Sequence, residues 1–358
     1  SGTTTTGIWT GGAGSFNPGS SALTTTYTPS AAEIAAGVAT LTLTSTGNGN
    51  CNAVTDIVQI NFTPAPTVNA GIDLSVCKNN ATAALAGVIS GPTSTGIWSG
   101  GSGSFNPGNS ALSATYTPSA SELSAGSVTL TLTSTSNGNC NAVSDNMVLV
   151  FTPAPVVNAG SNLSSCKNNP ATVLSGTVSG ATTTGIWSGG TGTFNPSNTA
   201  LTTTYTPSAA ELSAGTVNLI LSSTGNGNCS QVSDNVLIVF TNPPSVNAGV
   251  DLSVCKNNPT AVLSGIVSGT TTTGIWTGGA GAFSPSNTNL NATYTPNAAE
   301  LAAGSVTLTL TSTSNANCNA VTDNMIINFT PSPVVNAGVD LSVCQNNAVA
   351  VLSGSVSG

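Results

Sequence analysis

The sequence predicts an all-β chain of tandem β-sandwich repeats. Three observations carry this: a strict internal period, short stretches in which apolar and Thr residues alternate, and Gly, Asn or Pro turn residues between them. The tryptophans Trp9, Trp98, Trp187 and Trp276 recur every 89 residues. The tyrosines Tyr27, Tyr116, Tyr205 and Tyr294 keep the same step. So do the cysteine series Cys51, Cys140, Cys229, Cys318 and Cys77, Cys166, Cys255, Cys344. A fixed period without insertions is the signature of a repeat array.

The clearest elements lie between Ser127 and Gly160. Val128, Leu130 and Leu132 alternate with Thr129, Thr131 and Thr133, the period-two pattern of a half-buried strand. Ser136-Asn137-Gly138-Asn139 is turn chemistry, because Asn and Gly tolerate positive φ. Met147, Leu149 and Phe151 form one apolar face of a second strand, which Pro153 ends by lacking a ladder donor. In the same face of other repeats stand Val58, Ile60 and Phe62, and Met325, Ile327 and Phe329.

The rest of that repeat is read in order. Val68 to Cys77 is strand A, and Lys78-Asn79-Asn80 turns the chain. Thr82 to Ser90 is strand B. Gly96-Ile97-Trp98 is strand C, with Trp98 as core anchor. Gly100 to Gly103 turns into Phe105, and Asn106-Pro107-Gly108 turns again. Leu112 to Thr117 is strand E. Pro118 to Leu123 is one helical turn closed by Gly126. The hairpin already described supplies strands F and G. About seven short strands with a Trp on strand C predict an immunoglobulin-like sandwich.

The predicted organisation is residues 1–66, a partial repeat from strand C onward; 67–155, 156–244 and 245–333, three repeats; and 334–358, strands A and B of another. The joints are Pro64-Ala65-Pro66, Pro153-Ala154-Pro155, Pro243-Pro244 and Pro331-Ser332-Pro333. Joints this short predict repeats held head to tail at fixed angles, as a filament. The sequence reads as an internal window of a longer protein.

Composition excludes several functions. Charged residues make up 4% of the chain, with three Lys, no His and a net charge of −8. No basic footprint exists for nucleic acid. Without His, the usual general base and metal ligand is missing. No HExxH, GxSxG, P-loop or CxxC motif is present. The chain reads as a non-enzyme without cofactors. No apolar run is long enough to span a bilayer, so no membrane insertion is expected. Eight cysteines at two positions per repeat predict disulfides and therefore export.

Three cysteine pairings satisfy the period. Bridging Cys51 to Cys77 is disfavoured, since about 20 extended residues at ~3.3 Å each separate two groups that must come within ~7 Å. Internal bridges would be Cys77–Cys140, Cys166–Cys229 and Cys255–Cys318. Bridges between successive repeats would be Cys77–Cys229 and Cys166–Cys318. Sandwich topology favours the latter: Cys77 ends strand A at the pole where the chain leaves the repeat, and head-to-tail stacking brings the next repeat's F–G turn there.

Other candidates have structural alternatives. Lys78, Lys167 and Lys256 could form isopeptide links to an Asn, but Gln345 replaces the lysine once, which favours a solvated turn. Asp73, Asp251 and Asp340, with Asn162 at the fourth position, are weak calcium candidates that lack clustered partners. Asp56, Asp145, Asp234 and Asp323, at the start of strand G, read as turn caps. An exposed Trp98 would offer a sugar platform, whereas a buried one is a core anchor. Thr-rich outer faces offer hydroxyls for O-glycans.

The phrases VNAG…VCKNN, LSGTVSG, GIWSGGTGTFNPSNTALTTTYTPSAAELSAG and VTLTLTSTSNGNCNAVSDNM resemble the tandem PKD-like, immunoglobulin-like repeats of giant cell-surface adhesins of gliding Bacteroidota. The resemblance covers the whole chain. It implies export by the type 9 secretion system, display at the cell surface, and motion along the cell by a proton-driven motor. Partners implied are neighbouring repeats of the same chain, the motility machinery, and external surfaces or polysaccharide. The function expected is a structural stalk segment. The rival readings are a polysaccharide-binding module, an accessory region of a secreted enzyme, and a self-assembling sheath or pilus-like fibre.

Overall fold

The computed structural model describes residues 4–358 and is built almost wholly of strands, with four six-residue helices among the described residues. The chain forms tandem immunoglobulin-like sandwiches and divides into two compact units. One runs to Ala154 and takes in Gly227–Ser230; the other comprises Pro155–Asn226 and Gln231–Gly358.

In the first unit, residues 67–154 show the repeat in full. Its elements are β1 (Thr67–Asn69), β2 (Leu74–Cys77), β3 (Ala83–Ala84), β4 (Val88–Ser90), β5 (Thr95–Ser99), β6 (Ser104–Asn106), β7 (Thr115–Thr117), α1 (Ala120–Ala125), β8 (Ser127–Thr135) and β9 (Ser144–Thr152). One sheet has the order β5-β8-β9-β2, and the facing sheet the order β6-β7-β3. Antiparallel β8 and β9 pair Leu130 with Met147, while β2 runs parallel to β9 and sets Leu74 beside Leu149. The core between the sheets buries Trp98, Tyr116, Leu130, Leu132, Met147, Leu149 and Phe151. The alternation along β8 and β9 thus becomes one core face and one outer face. The peptide bond before Pro107 is cis.

Three expected strands differ from those observed. Strand A breaks into β1 and β2 around Gly71, whose φ is +95°. The Ala70 amide leaves the ladder to donate to Asp145 Oδ2 (2.8 Å). The break lets the strand change sheets: β1 pairs with β4, and β2 pairs with β9. Strand B breaks into β3 and β4, because Leu85 and Gly87 donate instead to the Ala114 and Leu112 carbonyls (2.9 and 3.0 Å). Gly87 lies so close to Trp98 and Leu132 that a Cβ there would meet both rings and methyls at under 3 Å. Strand E shortens to Thr115–Thr117, because residues 111–114 close a turn with Ala114 N donating to Ala111 O (3.1 Å).

The remainder of the first unit, up to residue 66, has a three-stranded sheet of Thr6–Thr10, Val38–Thr46 and Thr55–Asn61, and a two-stranded sheet of Ser15–Asn17 and Thr26–Thr28. The second unit repeats the sandwich twice, with cores around Trp187 and Tyr205 and around Trp276 and Tyr294. It ends in a single strand pair, Val334–Asn336 with Ser355–Ser357.

Candidate functional site

The site is a disulfide staple held in an asparagine clasp. In the second unit, the strand Leu163–Cys166 delivers Cys166 to the rim of its sandwich, where Lys167-Asn168-Asn169 turns away. The hairpin of the following repeat carries Asn317-Cys318-Asn319 at its tip. Cys166 and Cys318 are bonded, 152 residues apart. Amide hydrogen bonds surround the bridge. Asn168 Nδ2 donates to Asn319 O (3.0 Å), and its Oδ1 accepts from Asn319 N (3.1 Å). Asn169 Nδ2 donates to Asn317 O (3.1 Å), and Asn317 Nδ2 donates to Ser164 O (2.7 Å). Asn319 Nδ2 returns a bond to Asn168 O (2.8 Å).

The first unit holds the same device. Cys77 is bonded to Cys229, again at a separation of 152. Asn79 pairs with both backbone groups of Ser230 (3.0 and 3.1 Å). Asn80 donates to Asn228 O (3.3 Å), and Asn228 donates to Ser75 O. A loop of this length closed by a disulfide removes about 5 kcal/mol of chain entropy from the unfolded state. The exposed amide bonds add ~0.5–1.5 kcal/mol each.

The internal bridges Cys77–Cys140, Cys166–Cys229 and Cys255–Cys318 are not formed, because four of those cysteines are already engaged across repeats. Cys51, Cys140, Cys255 and Cys344 are free thiols. Cys140 rests on the joint, with its Sγ 3.6 Å from the Pro64 carbonyl.

The calcium candidates have a different task. Asp73 Oδ1 accepts from Val148 N (2.8 Å), and Asp251 Oδ1 accepts from Ile326 N (2.8 Å). Asn162, at the same position, accepts from Leu237 N through its amide oxygen (3.0 Å). Only an acceptor is required, so Asn substitutes freely. Among the described residues no three His, Cys, Asp or Glu side chains come together. Asp145, Asp234 and Asp323 do not cap their own turns. Each accepts from a strand-A amide across the sandwich: Ala70, Ala159 and Ala248, all at 2.8 Å. The indoles of Trp98, Trp187 and Trp276 are fully buried and present no sugar platform. Beside Lys78 and Lys167, the asparagine amides are committed to the clasps.

A second constellation tightens each repeat. Ser119 caps α1, and its backbone amide donates to Glu122 Oε2 (2.7 Å), completing a capping box. Tyr116 donates its hydroxyl proton to Glu122 Oε1 (2.7 Å), and Gly103 N donates to the Tyr116 oxygen (2.9 Å). Ser102 N also donates to Oε1 (2.7 Å). Burial pushes the Glu122 carboxyl up, but the bonds from Ser119, Tyr116 and Ser102 outweigh it and hold the pKa below the usual value. Burial, then the bond to Glu122, pushes Tyr116 up to about 12. Tyr205 and Tyr294 stand likewise at about 12. The signal that could have exposed this cluster is a Tyr six residues before the Glu of each Ser/Asn-x-x-Glu box.

No family model matches the chain, and no curated protein matches it. Among solved structures it is similar to a three-domain immunoglobulin segment of titin, at 12% identity and TM-score 0.40, covering 74% of this chain and 99% of that one. It is similar to protocadherin gamma B2 extracellular cadherin domains 3–6, at 13% identity and TM-score 0.31, covering 91% and 93%. It is also similar to Sidekick-1 immunoglobulin domains 1–5, at 14% identity and TM-score 0.31, covering 83% and 68%. No helix of the described residues is long and apolar enough to cross a membrane.

Proposed function

We propose that this chain is a structural stalk segment of an extracellular cell-surface adhesin filament. The observation that carries the reading is the Cys166–Cys318 bond, which ties two successive repeats at a place where neither core needs it. A staple between repeats does little for a binding pocket or a catalytic centre. It limits how far a pulled chain can extend. It also belongs in an oxidising compartment, which agrees with export. A surface of Thr, Ser and Asn with few charges keeps such a chain soluble without self-repulsion. The resemblance to the repeats of gliding-motility adhesins supports export by the type 9 secretion system and motion along the cell. In that setting the motility machinery and the external surface or polysaccharide are bound by other parts of the protein.

The test labels residues 67–155 with an antibody fragment on live cells and follows the label by fluorescence microscopy. A label that travels along the surface and stops when the proton gradient is collapsed supports the gliding-adhesin reading. A surface label that stays fixed on motile cells refutes the gliding part. Failure to label intact cells refutes the stalk reading.

A further inference from the structure

Each side of the asparagine clasp is held ready by its own repeat. On the turn side, Lys167 N donates to Thr241 O (2.9 Å), Asn169 N donates to Cys166 O (2.9 Å), and Ser165 Oγ donates to Asn169 O (3.0 Å). On the tip side, Cys318 N donates to Asn315 O (3.0 Å), Asn315 Nδ2 donates to Ser312 O (3.1 Å), and Val321 N donates to Ser312 Oγ (2.9 Å). None of these bonds uses a sulfur atom. The clasp then joins the two sides on both flanks of both cysteines: at Ser164, Asn168 and Asn169 around Cys166, and at Asn317 and Asn319 around Cys318.

The grip is mainly on backbone. Asn168 holds Asn319 by its N–H and its C=O at once, the exchange that a paired antiparallel strand residue makes. Asn79 holds Ser230 in the same way, so the residue after the tip cysteine can be Asn or Ser. Past the tip cysteine, only the return bond from Asn319 Nδ2 to Asn168 O depends on the tip's own side chain. A two-point grip fixes the orientation of the peptide next to Cys318 as well as its place.

We propose that the clasp docks the tip before the sulfur–sulfur bond exists. Asn168 and Asn169 are then positioning residues for bridge formation, and they reseat the Cys318 thiol whenever the bridge is reduced. The staple becomes a resealable joint. It forms by two thiol–disulfide exchanges. Cys318, the more exposed of the pair, attacks a small-molecule disulfide such as oxidised glutathione; it takes up one glutathione and releases the other as a thiol. Cys166, which is fully buried, then attacks the Cys318 sulfur and releases the second glutathione as a thiol. Each cysteine's proton ends on a departing glutathione. The clasp acts on the second exchange, because it presents Cys318 to Cys166 at high effective concentration. This role is independent of the stalk reading.

The experiment reduces the full 358-residue chain without denaturant, returns it to a glutathione redox buffer, quenches samples with acid over time and maps the cysteine pairs by mass spectrometry. The variant Asn168→Ala, Asn169→Ala removes three of the five clasp bonds. Neither residue has a positive φ, so alanine fits the turn. A hydrogen bond of this kind is worth about 2- to 12-fold in an equilibrium. Closure of Cys166–Cys318 should therefore slow at least ~10-fold, with a glutathione adduct accumulating on Cys318. Cys77–Cys229 keeps its own clasp and should close at its usual rate. A second measurement uses the bridge-free variant Cys166→Ser, Cys318→Ser. Hydrogen exchange read by mass spectrometry should find the Asn319 amide still protected there, and adding Asn168→Ala should release it. Closure of Cys166–Cys318 at the unaltered rate overturns the proposal, and so does equal slowing of both bridges. An Asn319 amide that exchanges freely in the bridge-free variant also overturns it, because the clasp would then follow the bond instead of preceding it.

Discussion

Removing the staples one at a time and then together gives a result that only an interleaved connectivity produces. Cys77 and Cys318 lie 241 residues apart (318 minus 77), and the bridges join Cys77 to Cys229 and Cys166 to Cys318. When every sandwich is pulled open, three routes connect Cys77 to Cys318. Two follow the backbone for 89 residues and use one bridge each (166 minus 77, and 318 minus 229); the third crosses to Cys229, runs back 63 residues to Cys166 and crosses again (229 minus 166). The shortest route sets the limit. At ~3.6 Å per residue the stretch between Cys77 and Cys318 extends to about 230 Å with both bridges and about 870 Å with none. Losing either bridge leaves one 89-residue route, about 320 Å. Optical-tweezers extension with handles at the two ends reads this directly. Cys77→Ser or Cys318→Ser alone should each add only about 90 Å of contour length, whereas the two together should add about 640 Å. Internal bridges would instead hide 63 residues each (Cys140 minus Cys77), about 230 Å, and would be released additively. An additive pattern refutes the reasoning.

Other expectations concern single repeats. Asp73→Asn should leave the thermal midpoint nearly unchanged, because Asn162 already fills that role, whereas Asp73→Ala should cost ~1 kcal/mol in denaturant titration. Ala316 occupies the left-handed region at φ +53°, where the equivalent Gly138 and Gly227 have φ +62° and +58°. Ala316→Gly should therefore stabilise by up to ~1 kcal/mol, read as a raised unfolding midpoint. Tyr116, Tyr205 and Tyr294 have raised folded-state pKa values. Their contribution is complete below the unfolded value near 10 and is lost as pH rises through about 12, so ultraviolet titration should show phenolate appearing late and together with unfolding. The glutamates have lowered values. Their contribution is present above the ordinary carboxylate pKa and is lost as pH falls through the folded value. Thermal midpoints should decline from about pH 4.5 downward, and Glu122→Gln should flatten that decline.

The hairpin of Ser127–Thr135 and Ser144–Thr152 was legible in the sequence because a strand with one buried face writes its period into its side chains. The breaks in strands A and B were not. A strand that changes sheets does so through backbone partners, here the Asp145 carboxylate and the Leu112 and Ala114 carbonyls, and these lie far away in sequence. The same distance hid the Asp73 contact with Val148, 75 residues on. A lone acid on a strand looks like an unfilled metal ligand until its partner amide is seen. In the sequence the asparagines of the clasp carry only the signature of a turn. Asn79 and Asn80 do turn the chain, but their amides face outward to a hairpin tip 148 to 151 residues later. The cysteine period left several pairings open, since every repeat-preserving pairing has the same spacing in all copies. The choice depends on which pole of the sandwich each cysteine occupies, and that is a property of the assembled sheets.

The most direct test is disulfide mapping of the protein taken from cell surfaces, with thiols blocked before lysis and digestion done without reductant. The structure requires a peptide holding Cys166 bonded to Cys318 and another holding Cys77 bonded to Cys229. Finding Cys166 bonded to Cys229, or Cys77 to Cys140, would confine each bridge to one repeat and contradict the stapled stalk.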